Sequence, residues 1–259
     1  MSWCVATSTR HPTIIESRLI DLADVLLLDV TAKDLPAQSQ AQVRNMTAEI
    51  FVVQQKHVNV TMSFVGPDNS SHGMPVTGPT TDHGDFAGWL SLSNGQNLGD
   101  LPMNTSVHTL EIHAKGTDSG NATAYLVPPD GITIVPEIDD VLRVTRGWSS
   151  VEGLLNLFAR PFTSWLNMPD ILAGWARMPG AHFHYITATP GQVERNYMAF
   201  TFATYPPGSF DSPPLNFFDV NNLLPIRKHL IERLLETSPR RKFVLIADTS
   251  NPDVMGAYP

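Results

Sequence analysis

The chain predicts an α/β fold, a parallel sheet layered with helices, preceded by a small β-sandwich-like domain. Three observations predict it. Residues 132–135 (Ile-Thr-Ile-Val) and 243–247 (Phe-Val-Leu-Ile-Ala) are near-continuous apolar runs, the mark of strands covered on both faces. Between them strand-like and helix-like segments alternate, which implies parallel strands joined by right-handed crossovers. Before them the pattern is different. Val58, Val60, Met62 and Phe64 alternate with Asn59, Thr61 and Ser63, and Leu110, Ile112 and Ala114 alternate with Thr109, Glu111 and His113. That period of two belongs to strands with one wet face.

The elements follow in order. Val25–Leu28, bracketed by Asp24 and Asp29, is too short to span a membrane and reads as a strand. Gly66, Pro67, Gly73, Pro75, Gly78, Pro79, Gly84 and Gly88 mark loops between the strands of a small sandwich. The turn Pro128-Pro129-Asp130-Gly131 divides the chain into a β-rich domain, residues 1–127, and a second domain, residues 128–259. In the second domain Ile132–Val135 is the first strand. Helical stretches follow around Val151–Phe158 and Pro169–Met178, and then comes the aromatic strand His182–Ala188. Thr189-Pro190-Gly191-Gln192 reads as a capping box ahead of a helix carrying Val193, Tyr197 and Phe200. Pro225 opens a helix with Ile226, Leu230, Ile231 and Leu234 on its inner face, and Phe243–Ala247 closes the set.

Bulk composition excludes several classes. The 259 residues carry 17 Lys and Arg against 25 Asp and Glu, a net charge of −8, which opposes nucleic-acid and anionic-membrane binding. A phosphate-bearing substrate would need local cations or a metal against this field. The single cysteine, Cys4, rules out a disulfide framework. No stretch approaches about 20 apolar residues, so no transmembrane segment is expected. Five glycosylation sequons, at Asn45, Asn59, Asn69, Asn104 and Asn121, exceed the roughly two expected by chance. They point to a secreted or endomembrane glycoprotein, although no signal peptide is visible; a cytoplasmic location is the alternative. Nothing in the sequence fixes the oligomeric state.

The chemistry gathers at strand ends. The first strand stops at Glu137, Asp139 and Asp140; the aromatic strand ends in Thr187 and Thr189; the last ends in Asp248, with Asp253 nearby. Lys228 lies on the helix before that last strand. In a parallel sheet these C-terminal ends share one edge, where ligands bind. Carboxylates, a hydroxyl and a lysine on one rim suit metal-assisted phosphoryl transfer: acids hold Mg²⁺, hydroxyl and ammonium hold phosphoryl oxygens, and one carboxylate attacks phosphorus. The competing reading of each residue is ordinary: a solvated acidic turn, a strand end and helix cap for Thr187 and Thr189, a solvated helix face for Arg227-Lys228-His229. His182 and His184 share a face and read as packing or capping groups rather than ligands. Trp148, Phe158, Phe162 and Trp165 read as core or as a lid.

Three strings resemble one family: Glu137-Ile138-Asp139-Asp140-Val141-Leu142-Arg143-Val144-Thr145, Phe183-His184-Tyr185-Ile186-Thr187-Ala188-Thr189-Pro190, and Arg241-Lys242-Phe243-Val244-Leu245-Ile246-Ala247-Asp248-Thr249. From about residue 130 onward the chain is similar to the fungal phosphatidate phosphatases of the actin patch type, within the haloacid dehalogenase superfamily. The resemblance implies a haloacid-dehalogenase-like Rossmannoid sheet, C-terminally truncated because the family continues beyond the position of Pro259. It implies Mg²⁺ and a phosphorylated lipid substrate. It places Glu137 as nucleophile, Asp139 as general acid/base that offers its carbonyl to the metal, Thr187 on the phosphoryl group and Lys228 as neutralising cation. Glu137, Asp139, Asp248 and Asp253 become the metal-side acids. Several positions depart from the pattern. Glu137 replaces an aspartate, moving the carboxylate by about a bond length, a shift of the order that costs 10²-fold in rate. Pro136 removes a strand N–H, Val141 replaces a threonine, and Ala247 replaces a glycine. These departures also support a second expectation, a catalytically impaired pseudophosphatase acting as a secreted binding protein.

Overall fold

A computed structural model of the chain describes residues 2–7, 9–10, 13–14, 16–27, 30–51, 53–65, 71–82, 84–90, 106–114, 121–189, 193–212 and 226–249. Leu28, Asn69, Asn104, Pro190–Gln192, Pro225 and Asp253, singled out above, lie outside these residues. The elements in chain order are β1 (Ser2–Thr7), β2 (Thr9–Arg10), α1 (Glu16–Leu27), α2 (Ala37–Ile50), β3 (Val53–Gln54), β4 (Asn59–Val65), β5 (Ser71–Pro79), β6 (Asp85–Leu90), β7 (His108–Ala114), β8 (Asn121–Leu126) and β9 (Ile132–Pro136). Then come α3 (Ser150–Leu154), α4 (Met168–Trp175), β10 (Ala181–Ile186), α5 (Glu194–Thr204), β11 (Ser209–Asp211), α6 (Ile226–Thr237) and β12 (Lys242–Ile246).

The chain divides into two units. One joins residues 1–10 to 53–131, and the other joins 11–52 to 132–259. The division after residue 131 follows the Pro128-Pro129-Asp130-Gly131 stretch. Residues 11–52 do not stay with the β-rich half, as a division at 127 requires. The reason is apolar spacing. Ile20, Ala23 and Leu27 recur at helical intervals on α1, and Val43, Met46 and Ile50 do so on α2. All six are buried in one core with Ile134, Leu142, Phe183 and Tyr197. The strand expected at Val25–Leu28 is therefore helical through Leu27, with Val25 68% exposed. The Asp24 carboxylate accepts the Ala32 N–H at 2.7 Å and fixes the turn out of α1.

The first unit is built of antiparallel ladders, as the period of two predicts. β5-β4-β7-β8 form a four-stranded sheet, while β1 with β6 and β2 with β3 form two-stranded ladders. These are separate ladders; a closed sandwich is not established by them.

The second unit carries a four-stranded parallel sheet in the order β11-β10-β9-β12. The first strand in sequence is interior, two strands build outward on one side, and the last strand lies on the other. The order thus reverses between β9 and β12, and in open α/β sheets the crevice at such a reversal is where ligands sit. Alternation along β9 sends Ile134 into the core shared with α1, α2 and α5, and Val135 into a second core with Ile186, Ile231 and Leu234 under α6. Gly208 lets β11 approach β10, since a Cβ there would stand 2.3 Å from the Phe183 carbonyl oxygen.

Truncating Leu27, which is 1% exposed, tests the assignment of α1. Leu27→Ala is expected to cost about 2–5 kcal/mol, read by denaturant titration, as a buried leucine does. A loss below about 0.5 kcal/mol, typical of a surface position, contradicts the packing described.

Candidate active site

The first acid follows directly from the alternation of β9. Glu137 lies two residues past Val135 and so faces the same side, toward α6. Its N–H donates to the Ile246 carbonyl at 2.9 Å and the next N–H, of Ile138, to the Ile186 carbonyl at 3.0 Å, so both neighbouring strands hold the acid motif. On α6 the inward positions are Arg227, Leu230, Ile231 and Leu234, spaced i, i+3, i+4, i+7. Arg227 Nη2 forms an ion pair with Glu137 Oε1, and the two side chains are 5% and 1% exposed. Neither charge could be held there without the other.

Lys228, the cation expected at the site, is elsewhere. One residue on turns a helix by about 100°, and its side chain is 57% exposed, 3.7 Å from Glu232 one turn along. The phase of Leu230, Ile231 and Leu234 is the signal that could have chosen Arg227 from sequence.

The second acid faces a different set of partners. Asp139 Oδ1 accepts from Arg143 Nη1 at 3.2 Å, the Thr145 hydroxyl at 2.8 Å and the Tyr197 hydroxyl at 2.7 Å. Its Oδ2 accepts from the Thr187 hydroxyl at 2.8 Å and the Thr189 hydroxyl at 3.1 Å. Thr187 is thus beside an acid of the motif. Thr189 belongs to the site rather than capping α5, whose first turn follows Val193. Arg143 is fully buried, with its guanidinium carbon 3.9 Å from the Phe162 ring centre and 4.7 Å from that of Tyr197. A guanidinium stacked on aromatic faces keeps its charge and its planar fork of donors. It also donates to the Asn156 carbonyl. Burial first, and the Asp139 charge second, push the Tyr197 hydroxyl well above its ordinary value, so it stays protonated and donating. The strings quoted above contain Arg143 and Thr145 and the helical spacing contains Tyr197. None had a sequence signal for this role, because each acts through a contact between segments distant in the chain.

The third acid closes a loop. Asp140 has φ 57° and accepts the backbone N–H groups of Thr145, Arg146 and Gly147 at 3.0, 2.6 and 2.8 Å. Asp248 lies two residues beyond Ile246, which pairs with Pro136, so β12 brings it to the same sheet edge as Glu137. Asp253 lies outside the described residues.

A second buried polar cluster lies where β10 and β11 meet α6. Asp211 pairs with Arg233 and stands 3.7 Å from His184. Burial would raise its carboxyl; the nearby His184 and Arg233 outweigh that and lower it. His182 meets the Ser209 hydroxyl at 3.0 Å, and burial, aided by the charges of His184 and Arg241, lowers its imidazole to about 3. These histidines pack and bond rather than forming a ligand pair. Burial pushes the Glu194 carboxyl up to about 7, against a hydrogen bond from Ser212.

A Rossmann-like parallel sheet with acids, hydroxyls and a guanidinium at the C-terminal edge of its reversal point defines the class: an α/β protein with a polar site where such sheets take ligands. Residues 132–259 match the model described as phosphatidate phosphatase APP1, catalytic domain, and this half of the chain belongs to that family, consistent with the haloacid dehalogenase superfamily. The family is one of phosphatases, usually metal-dependent, and its name implies a phospholipid substrate. No curated protein matches the chain.

Their own partners decide how well the acids suit Mg²⁺. Mg²⁺ needs near-octahedral oxygen ligands, one or two of them carboxylate oxygens with open lone pairs. Five donors already engage the two Asp139 oxygens, and a guanidinium is seated on Glu137 Oε1, while Glu137 Oε2 is buried and accepts no hydrogen bond among the described residues. Among the described residues no group of three or more His, Cys, Asp or Glu is arranged to hold a metal ion. In this arrangement the described donor set does not fit the cation.

Two measurements check the electrostatics. Arg227→Ala, by stranding a buried carboxylate, is expected to cost about 3–5 kcal/mol, whereas Lys228→Ala changes stability by no more than about 0.5 kcal/mol. Equal losses in chemical denaturation would reverse the assignment. Glu194 has a raised folded-state value, so it binds its proton more tightly folded than unfolded, and its contribution is lost as pH rises from about 4.5 to about 7. Glu194→Gln is therefore expected to flatten the fall in stability across that window. An unchanged slope shows that Glu194 is not the group responsible.

Proposed function

We propose that residues 132–259 form a phosphomonoester site of the phosphatidate phosphatase type, acting on a lipid phosphate. Glu137 stands at the reacting position. The observation carrying this reading is the convergence of Glu137, Asp139, Thr187 and Asp248 on the edge of β9, β10 and β12, with Arg227 seated on the first acid. In the reaction the Glu137 carboxylate attacks phosphorus and the P–O bond to the lipid alcohol breaks. The departing oxygen takes a proton supplied at the Asp139 side. Water then attacks the acyl phosphate, releasing phosphate and restoring the carboxylate. Thr187 and Thr189 orient Asp139, and Arg227 offsets the charge of Glu137 and of the incoming phosphoryl group.

A second reading has its own observation. The Glu137–Arg227 pair is nearly inaccessible, at 1% and 5% exposure, and a carboxylate clamped by a guanidinium is a poor nucleophile. On that reading the unit is an impaired phosphatase that binds a partner or glycan without turnover. The β-rich unit, its proposed sandwich packing and a secreted or endomembrane location belong with it.

Phosphate release from short-chain phosphatidate decides between them. Glu137→Asp is expected to raise the rate about 10²-fold by restoring the shorter arm, and Asp139→Asn to lower it at least as far. A gain from the first and a loss from the second support hydrolysis. No gain and no loss would sink the hydrolytic reading.

A further inference from the structure

We infer that two acids of this site are balanced internally: Arg227 on Glu137 and Arg143 on Asp139 take the place that a divalent cation fills where acids lack such partners. The inference rests on the phosphomonoester reading only for the identity of the site. It is carried by two ion pairs of different construction. Arg227 reaches Glu137 from α6, and both side chains are at least 95% buried. Arg143 reaches Asp139 at 3.2 Å from within the motif loop, against the rings of Phe162 and Tyr197 and fully buried. The pairing is one acid to one arginine, so neither pair carries net charge.

The consequence for a metal is electrostatic and geometric. Any ion close enough to ligate either carboxylate stands a few ångströms from a guanidinium, inside a poorly screened interior. An ion on the Asp139 carboxylate must also displace donors. Its five partners are four neutral hydroxyls and one arginine, tied to one another: Thr145 and Tyr197 also bond Arg143, at 3.1 and 2.5 Å, and Thr189 bonds Tyr197 at 3.1 Å. The extra methylene of Glu137 fits the same design, because the longer arm reaches an arginine rooted on the neighbouring helix.

The pair is also reversible by mutation. Removing the guanidinium leaves a buried carboxylate that must recruit a proton or a cation. The whole chain and its Arg227→Met and Asp248→Asn variants are titrated with Mn²⁺, followed by its electron paramagnetic resonance signal, and with Mg²⁺, followed by the melting temperature. The unmodified chain is expected to show no saturable Mn²⁺ site and a shift of no more than about 1 °C in millimolar Mg²⁺. Arg227→Met is expected to be stabilised by several degrees in Mg²⁺ as the cation replaces the lost arginine. A single saturable Mn²⁺ site in the unmodified chain, abolished by Asp248→Asn, overturns the inference. That titration stands alone if Arg227→Met does not fold. Phosphate release measured in chelator separates the two claims: turnover that survives chelation supports both. Absent turnover with no metal binding removes the hydrolytic reading and leaves the internal charge balance in place. Turnover abolished by chelation and restored by Mg²⁺ overturns the charge balance alone.

Discussion

The buried contact between Glu137 and Arg227 constrains the second unit more than any other. A carboxylate at the end of an interior strand cannot remain ionised in an apolar surround without a partner. Its partner arrives on α6, so the register of that helix is fixed by charge as well as by Leu230, Ile231 and Leu234. Ile231 and Leu234 cover Val135 and Ile186, and the helix then delivers the chain into β12. Burial and pairing thus specify the same placement, the agreement between local and global preference that a well-defined fold requires.

The two acids of the motif are two residues apart and use opposite sides of the sheet. Glu137 is engaged from the α6 side and Asp139 from the side of α5 and the motif loop. Asp140 contributes neither contact; its carboxylate gathers three backbone N–H groups and so shapes the loop that presents Arg143. One short acidic run therefore has three separate tasks, divided by where the strand ends and the turn begins.

Much of this was legible in the sequence, and the boundary of legibility is physical. Strands β9, β10 and β12 declared themselves because continuous apolar runs have few alternative explanations. The convergence of Glu137, Asp139, Thr187 and Asp248 on one edge followed from parallel topology alone. The resemblance points to Lys228, whereas the helical phase of Leu230, Ile231 and Leu234 favours Arg227. Helices α1 and α2 were missed for another reason. Their apolar stripes are interrupted by Asp21, Asp24 and Gln residues, and the short run at Val25–Leu28 mimics a strand. Only the core shared with Ile134 and Phe183 shows why a helix wins there. Arg143 and Tyr197 were invisible as a pair because their contact spans 54 residues of chain.

The discontinuous second unit has a consequence for biogenesis. The polypeptide crosses between units three times, after residues 10, 52 and 131. A ribosome releases the α-hairpin of residues 16–50 long before it makes the sheet that will cover it, since β9 begins at Ile132. In that interval the greasy stripe of Ile20, Leu27, Val43 and Met46 has no native cover, and the whole intervening β unit can mature first. Nascent chains of this protein therefore pass through a sticky stage that lasts until β9, β10 and α5 have emerged.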